Sequence, residues 1–243
     1  MDEPPYGNAP FAPIVVPMKS TACNAGLANL GPLDQLKAGR LPERLLRLLL
    51  GLRLYGMSIA LMVEGALGAA PWDVFHLGVA RHVSLSLGTV LALTAIVVLL
   101  AWIPLRQMPG LGTLANTLLI GPFADLGLAW LDAPDGLPMQ CAYILGGVLA
   151  CGFATALYVG AQLGPGPRDG LMTGLARRTG ASIRRVRTLI ELGVLAIGIV
   201  LGGSVGVGTV VFALAVGPVT QFFLPRLAVR LEPPAGELSD VGG

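Results

Sequence analysis

Charged side chains are scarce in this chain of 243 residues. Asp, Glu, Lys and Arg together make up 12% of it, about half the share that is typical of a soluble domain. Hydrophobic residues make up 54%, and the mean hydropathy is +0.74. They form long runs without a polar face, which favours membrane-spanning helices over a soluble fold. The net charge of +2 gives no reason to expect a nucleic-acid partner.

Cysteine and histidine are also rare, with three and two copies. Neither residue type shows CxxC or HExxH spacing, so we expect no metal site. Cys141 and Cys151 lie on one predicted helix, about 15 Å apart along its axis, which is too far for a disulfide. The sequence has no recognisable Ser/His/Asp set and no carboxylates at catalytic spacing. We therefore expect no enzymatic activity and no cofactor.

What the chain does have is a duplicated string. The residues GPGPRDG occupy 164–170, and GAAPWDV occupies 68–74. At this offset of 96 residues, roughly a third of positions match. Such self-similarity predicts a repeated structural unit. We assign residues 40–135 to repeat 1 and residues 136–231 to repeat 2, with proline-rich, disordered tails at 1–39 and 232–243.

Six apolar runs predict six spanning helices, at about 45–66, 85–105, 111–131, 142–163, 188–204 and 206–225. Two shorter and more polar segments, 71–83 and 167–184, hold matching places in the two repeats. Pro71 and Pro167 begin them, with Asp73 and Asp169 two residues later, as suits a helix start. We interpret both as helices that re-enter the membrane or lie at its surface. Counting them as spans gives eight crossings, a less favoured alternative.

The distribution of arginine predicts the orientation. With six spans and a cytoplasmic N-terminus, nearly all arginines fall inside and the acidic stretch 125–135 falls outside. The C-terminus is then also cytoplasmic. Three spans per repeat would make the second repeat inverted relative to the first. The expected fold class is thus an all-α membrane protein with two inverted repeats, each interrupted by a short helix, a plan common among transporters.

Four charged residues are candidates for binding a substrate: Arg168, Asp169, Glu64 and Glu191. Arg168 and Asp169 follow a glycine- and proline-rich break at a helix start, where an anionic group could bind. Alternatively, Asp169 caps its helix and Arg168 anchors to lipid headgroups. Glu64 and Glu191 lie in predicted spans, where an acid can carry a proton or cation. The alternative for Glu191 is an ion pair with Arg187, one helical turn earlier.

Other matched residues suggest structural roles. The strings that open helices three and six contain glycines that permit tight turns and threonines that can cap. Two Gly-Pro pairs should kink these helices at equal depths. The structural set comprises Gly68, Pro71, Asp73, Gly110, Gly112, Thr113, Gly121, Pro122, Gly164, Gly166, Pro167, Gly170, Gly206, Gly208, Thr209, Gly217 and Pro218. Among polar residues within spans, Asn116, Gln162 and Gln221 are expected to bond between helices.

A longer motif string points to a family. Residues 163–172 read LGPGPRDGLM, followed by VRTxxE at 186–191 and GVGT at 206–209. From about Leu41 to Pro225 the chain resembles the YczE/YitT-like bacterial integral membrane proteins. The resemblance implies a multi-pass protein of the bacterial cytoplasmic membrane. It carries over no catalytic residue, because this family has no agreed biochemical activity.

Two functions remain open at this point. The first is a permease-like protein that moves a small molecule or ion across the bilayer. The second is a non-transporting scaffold that assists other membrane machinery, with the basic segment 177–187 as its docking face. A homo-oligomer or a membrane-protein partner is compatible with both.

Overall fold

The structure, a computed structural model, describes residues 32–231, so residues 1–31 of the predicted N-terminal tail (1–39) and the whole predicted C-terminal tail (232–243) lie outside the described residues. Helices are the only regular elements in this part of the chain, which confirms the all-α class. They are α1 (Pro32–Lys37), α2 (Leu41–Glu64), α3 (Pro71–Ala80), α4 (Leu87–Leu100), α5 (Trp102–Leu105), α6 (Leu111–Trp130), α7 (Leu137–Gly160), α8 (Pro167–Thr179), α9 (Ile183–Val200) and α10 (Val207–Leu227).

Five segments of the described chain are long and apolar enough to cross a membrane. They are α2, the continuous run of α4 and α5, α6, α7 and α10. The sixth predicted span corresponds to α9, which has 18 residues. It is absent from this set because Arg184, Arg185, Arg187 and Glu191 fall within those residues. A protein with several membrane-spanning helices is therefore established, and the sixth crossing remains a prediction.

The two short segments form helices that cannot span a bilayer alone. α3 has 10 residues and α8 has 13, so they measure about 15 and 20 Å against a hydrocarbon core of about 30 Å. Each begins with its proline and has its aspartate in the first turn, as predicted. Both end earlier than predicted. The left-handed Gly180 (φ 69°) terminates α8, and Ser182 then caps α9.

α2 and α7 form the antiparallel centre of the bundle. Gly51 of α2 lies against Tyr158 of α7, and Gly147 of α7 lies against Met62 of α2. A Cβ atom at either glycine would come within 3 Å of the opposite helix, so the missing side chains permit the close approach. α6 packs along α2, and α10 packs along α7. The main apolar core lies among α2, α4, α6 and the end of α7, and α10 packs against a smaller cluster of Met62, Ile144 and Val148.

The starts of α6 and α10 each dock on the loop that precedes a short helix. The Gly112 amide donates to the Leu163 carbonyl (2.6 Å), and the Gly208 amide donates to the Leu67 carbonyl (2.8 Å). Thr113 and Thr209 cap the same helices through the amides of Gly110 and Gly206, as predicted.

The glycines at these starts serve close contact rather than tight turns. A Cβ atom at Gly206 would lie 2.3 Å from the Leu67 carbonyl oxygen. Left-handed backbone occurs instead in the loops that receive them, at Gly68 (φ 111°) and Gly164 (φ 118°). The Gly-Pro pairs lie within α6 and α10, and both helices continue through the prolines.

A buried arginine joins the N-terminal end of α2 to the C-terminal end of α7. The Arg44 side chain is fully buried. It donates to the carbonyls of Ala161 (2.9 Å), Gln162 (2.7 Å) and Gln35 (2.5 Å). Gln35 belongs to α1, which lies within the segment predicted to be a tail. Contact with this guanidinium accounts for the ordering of α1 against the bundle.

Candidate functional site

The first turns of α3 and α8 meet inside the molecule. Trp72 and Arg168 are the second residues of the two helices, and they contact each other directly. The Arg168 guanidinium carbon lies 4.9 Å from the centroid of the Trp72 ring, within the range of a cation–π interaction. They occupy equivalent positions of the duplicated strings, between the shared proline and the shared aspartate. The arginine is half-buried, and its anchoring to lipid headgroups stays an open alternative.

Trp102 fixes the start of α8 from the side. Its indole nitrogen donates to the Pro167 carbonyl (2.9 Å), and its side chain is 2% exposed. A Cβ atom at Gly170 would fall 2.0 Å from the Trp102 ring. Only glycine leaves room for this ring one turn into α8. Trp102 thereby sets where Arg168 lies.

The aspartates of the two first turns are engaged by their own helices. Asp73 is 4% exposed, and its carboxylate lies 3.4 Å from Nδ1 of His76. Asp169 lies in the first turn of α8, and its carboxylate is close to the backbone of Gly166, the residue that precedes the helix. Both carboxylates still interact electrostatically with Arg168.

A small cavity lies between these first turns and the helices α4 and α6. Its volume is ≈ 30 Å³, enough for about two water molecules. The residues that line it include Trp72, His76, Thr94, Asn116, Pro167 and Arg168. The remaining wall is largely aliphatic, with Leu91, Val98 and Ile120 buried around it.

Two tyrosines of the central helices lie beside the site. Tyr55 of α2 and Tyr158 of α7 contact each other edge to face, with ring centroids 6.1 Å apart. The position of a Cβ at Gly166 is 3.3 Å from the Tyr158 hydroxyl and 3.5 Å from Nδ2 of Asn116. The start of α8 is therefore surrounded by polar groups from α6 and α7.

The two glutamates lie away from the cavity lining. Glu191 accepts from Nε of Arg187 (2.9 Å), one turn away on α9, which is the ion pair that the alternative interpretation predicted. This pair does interact electrostatically with Asp169. Glu64 ends α2, nine residues beyond Tyr55 and so about 13 Å further along the axis. No contact among the described residues joins Glu64 to Arg168, and its substrate role stays a prediction.

The sequence did not predict the roles of four residues, which are Arg44, Tyr55, Trp102 and Tyr158. The arginine lies among other arginines at a membrane flank, and the aromatic residues look like ordinary core. One signal was available for Trp72, because it replaces arginine at the matched position of the duplicated string. The side-chain amide of Gln162 donates to the Val229 carbonyl (2.6 Å), so it bonds between the segments that follow α7 and α10 rather than between the helices themselves.

The helical bundle and its interrupted segments define a multi-pass membrane protein. Sequence comparisons identify the family to which it belongs. A model described as "Family of unknown function (DUF6198)" matches residues 42–225, and the chain belongs to this family. An uncharacterized protein of Haemophilus influenzae is 41% identical over 74% of this chain and 83% of its own length. The uncharacterized membrane protein YczE of Bacillus subtilis is 34% identical over 72% and 83%. These matches confirm the predicted YczE-like family, and no solved structure matches significantly.

Proposed function

We propose that this protein is a permease-like carrier of the bacterial cytoplasmic membrane, built from two inverted repeats of three spans, with α9 as the sixth. The solute would bind where the first turns of α3 and α8 meet. The observation that carries the proposal is the contact of Trp72 with Arg168 beside a cavity. Interrupted helices whose positive ends meet at a repeat interface are the usual place for a transporter to hold its solute.

Equivalent contacts support the inverted repeat. The hydrogen bond from the Gly112 amide to the Leu163 carbonyl has its equivalent, 96 residues away in each partner, in the bond from Gly208 to Leu67. The packing of Gly51 on Tyr158 is equivalent in the same way to that of Gly147 on Met62. Side chains of Ser86 and Ser182, which are equivalent positions, cap α4 and α9.

The contacts of the two short helices are exchanged in the same way. Trp102 packs on Gly170 of α8, and the equivalent Gly198 packs on Val74 of α3, so the large and small partners are swapped. Short helices also lie toward opposite ends of α9, because Gly78 of α3 contacts Leu201 whereas Met172 of α8 packs with Val186.

Reporter cysteines at Ser84 and Ala181 test this topology. Ser84 lies between α3 and α4, and Ala181 lies between α8 and α9. In a variant without the native cysteines, we expect a membrane-impermeant maleimide added to intact cells to label Ser84→Cys and to spare Ala181→Cys until the cells are opened. A cysteine at Asp132 is the matched control for the outer side. Labelling of Ser84 and Ala181 from one side would reject the inverted repeat.

Arg168 tests the carrier function itself. In proteoliposomes that show uptake of a solute found by screening, we expect Arg168→Gln to reduce the rate at least about tenfold, because a half-buried cation in the site is lost. Arg184→Gln is the control, since Arg184 is an exposed arginine near the start of α9. Equal uptake by both variants would contradict a role for Arg168. Failure of every solute to move would reject the carrier.

A scaffold function has its own supporting observation, in α9 and α10. Only Val186 and Gly198 of α9 and Gly208 and Thr209 of α10 are buried. Much of both helices is apolar and exposed, including Leu189 (70%) and Leu214 (73%). A stable co-purifying membrane protein together with absent transport would favour this alternative.

A further inference from the structure

We propose that the cavity between Trp72 and Arg168 binds a small monovalent anion, of the class of halides and formate. The inference rests on the carrier function proposed above and assigns the class of its solute. It depends on three properties of the cavity, which are its charge, its unpaired donor and its size.

The charge that lines the cavity is positive. Arg168 contributes its guanidinium, and it takes part in none of the ion pairs found among residues 32–231. Pro167 and Arg168 open α8, so the positive end of this helix lies at the cavity. The nearby carboxylates are not part of the lining. The Asp73 carboxylate lies 3.4 Å from Nδ1 of His76, and the Asp169 carboxylate lies beside Gly166.

Trp72, one of the lining residues, also has a buried donor without an acceptor. The Trp72 indole nitrogen is inaccessible to solvent and has no hydrogen-bond partner in the described part of the chain. Buried polar groups are nearly always paired, so an unpaired one calls for a ligand or water. Trp102 shows the normal case, because its indole donates to the Pro167 carbonyl. An anion held by Arg168 would supply the acceptor that Trp72 lacks.

Size and wall chemistry restrict the anion. A cavity of ≈ 30 Å³ has room for about two water molecules, which corresponds to a halide or to a group of three heavy atoms such as formate. Leu91, Val98 and Ile120 form an apolar wall that offers no replacement for a dense hydration shell. Multivalent anions such as sulfate and phosphate are therefore disfavoured. The side chain of Asn116 remains as a further donor.

Thermal unfolding of the full-length protein in detergent tests the binding. Sodium formate and sodium bromide are titrated against sodium gluconate at equal ionic strength, because gluconate is too large for the cavity. We expect a saturable rise in the unfolding temperature with formate or bromide only. Equal curves in all three salts would overturn the proposal.

Two substitutions test whether the stabilising anion binds in this cavity. Trp72→Phe keeps an aromatic face for Arg168 and removes only the N–H, so we expect the apparent affinity to fall about tenfold. Arg168→Gln should abolish the effect. Trp130→Phe is the control, since Trp130 is 62% exposed at the end of α6, and it should bind like the wild type. Retention of wild-type affinity by Trp72→Phe would overturn the assignment, whether or not Arg168→Gln folds.

Flux measurements separate this inference from the carrier proposal. Anion uptake into proteoliposomes that needs about tenfold more anion in Trp72→Phe would support both. Anion binding without any flux would keep the site and reject the carrier. Transport of a different solute without anion binding would keep the carrier and reject the anion.

Discussion

Replacing Arg44 by methionine will lower the unfolding temperature of the purified protein by roughly 5–10 °C. The side chain is fully buried, and methionine can fill much of its volume but cannot donate. The carbonyls of Ala161 and Gln162, which Arg44 now satisfies, would be left without this donor. Each buried acceptor without a partner costs about 1–3 kcal/mol, so a loss of at least about 2–3 kcal/mol is expected.

Arg40→Met is the matched control for this prediction. Arg40 lies at the same end of α2, but its side chain is 54% exposed and pairs with Glu43. Exposed pairs contribute about 0–1 kcal/mol, so the control should unfold close to the wild type. Equal unfolding temperatures for the two variants, measured by differential scanning fluorimetry in one detergent, would contradict the assigned role of Arg44.

Gly121→Ala will disrupt the bundle, and the same change at Gly217 will not. Both glycines precede a proline inside a helix, at equivalent positions of the duplicated sequence. A Cβ at Gly121 would lie 2.2 Å from the Gly88 carbonyl oxygen, whereas a Cβ at Gly217 would meet nothing within 4 Å. Backbone would have to move at Gly121, at a cost of about 1–3 kcal/mol. At Gly217 alanine should be neutral or gain up to about 1 kcal/mol of helix propensity.

Monodispersity after solubilisation and the unfolding temperature measure this difference. Asp125 gives an independent check, because its carboxylate accepts from the Gly88 amide (2.7 Å) and belongs to the same contact of α4 with α6. Asp125→Ala should therefore shift stability in the same direction as Gly121→Ala. A destabilised Gly217→Ala would mean that α10 has a neighbour, such as a second copy of the chain.

Local chemistry made much of the fold predictable. Long apolar runs predict α2, α6, α7 and α10, because spanning helices must be apolar along their length. Pro71 and Pro167 mark the starts of α3 and α8 for a local steric reason. α9 was harder, since its first half carries three arginines and a glutamate and so reads as a cytoplasmic loop.

The site could be predicted only in part. Arg168 stood out because it follows a glycine- and proline-rich break. Its contact with Trp72 joins residues far apart in sequence and depends on how two short helices meet, which no local pattern encodes. The role of Arg44 depends likewise on the end of α7 lying against it. The pairing of Gly121 with Gly88 is also tertiary, and the equivalent of Gly88 is Arg184, so matched glycines did not imply matched contacts.

The exchanged hydrogen bonds at the starts of α6 and α10 bear on how the chain is synthesised. Gly112 leaves the ribosome about 50 residues before its acceptor, the Leu163 carbonyl, exists. The first turn of α6 therefore enters the bilayer with an amide that has no intrahelical partner. This amide can donate to the Leu163 carbonyl only after α7 and the loop that follows it have been made. Gly208, in contrast, finds the Leu67 carbonyl already made. The contact at the start of α6 is therefore completed only by the second half of the chain, whereas the contact at the start of α10 uses a carbonyl of the first half.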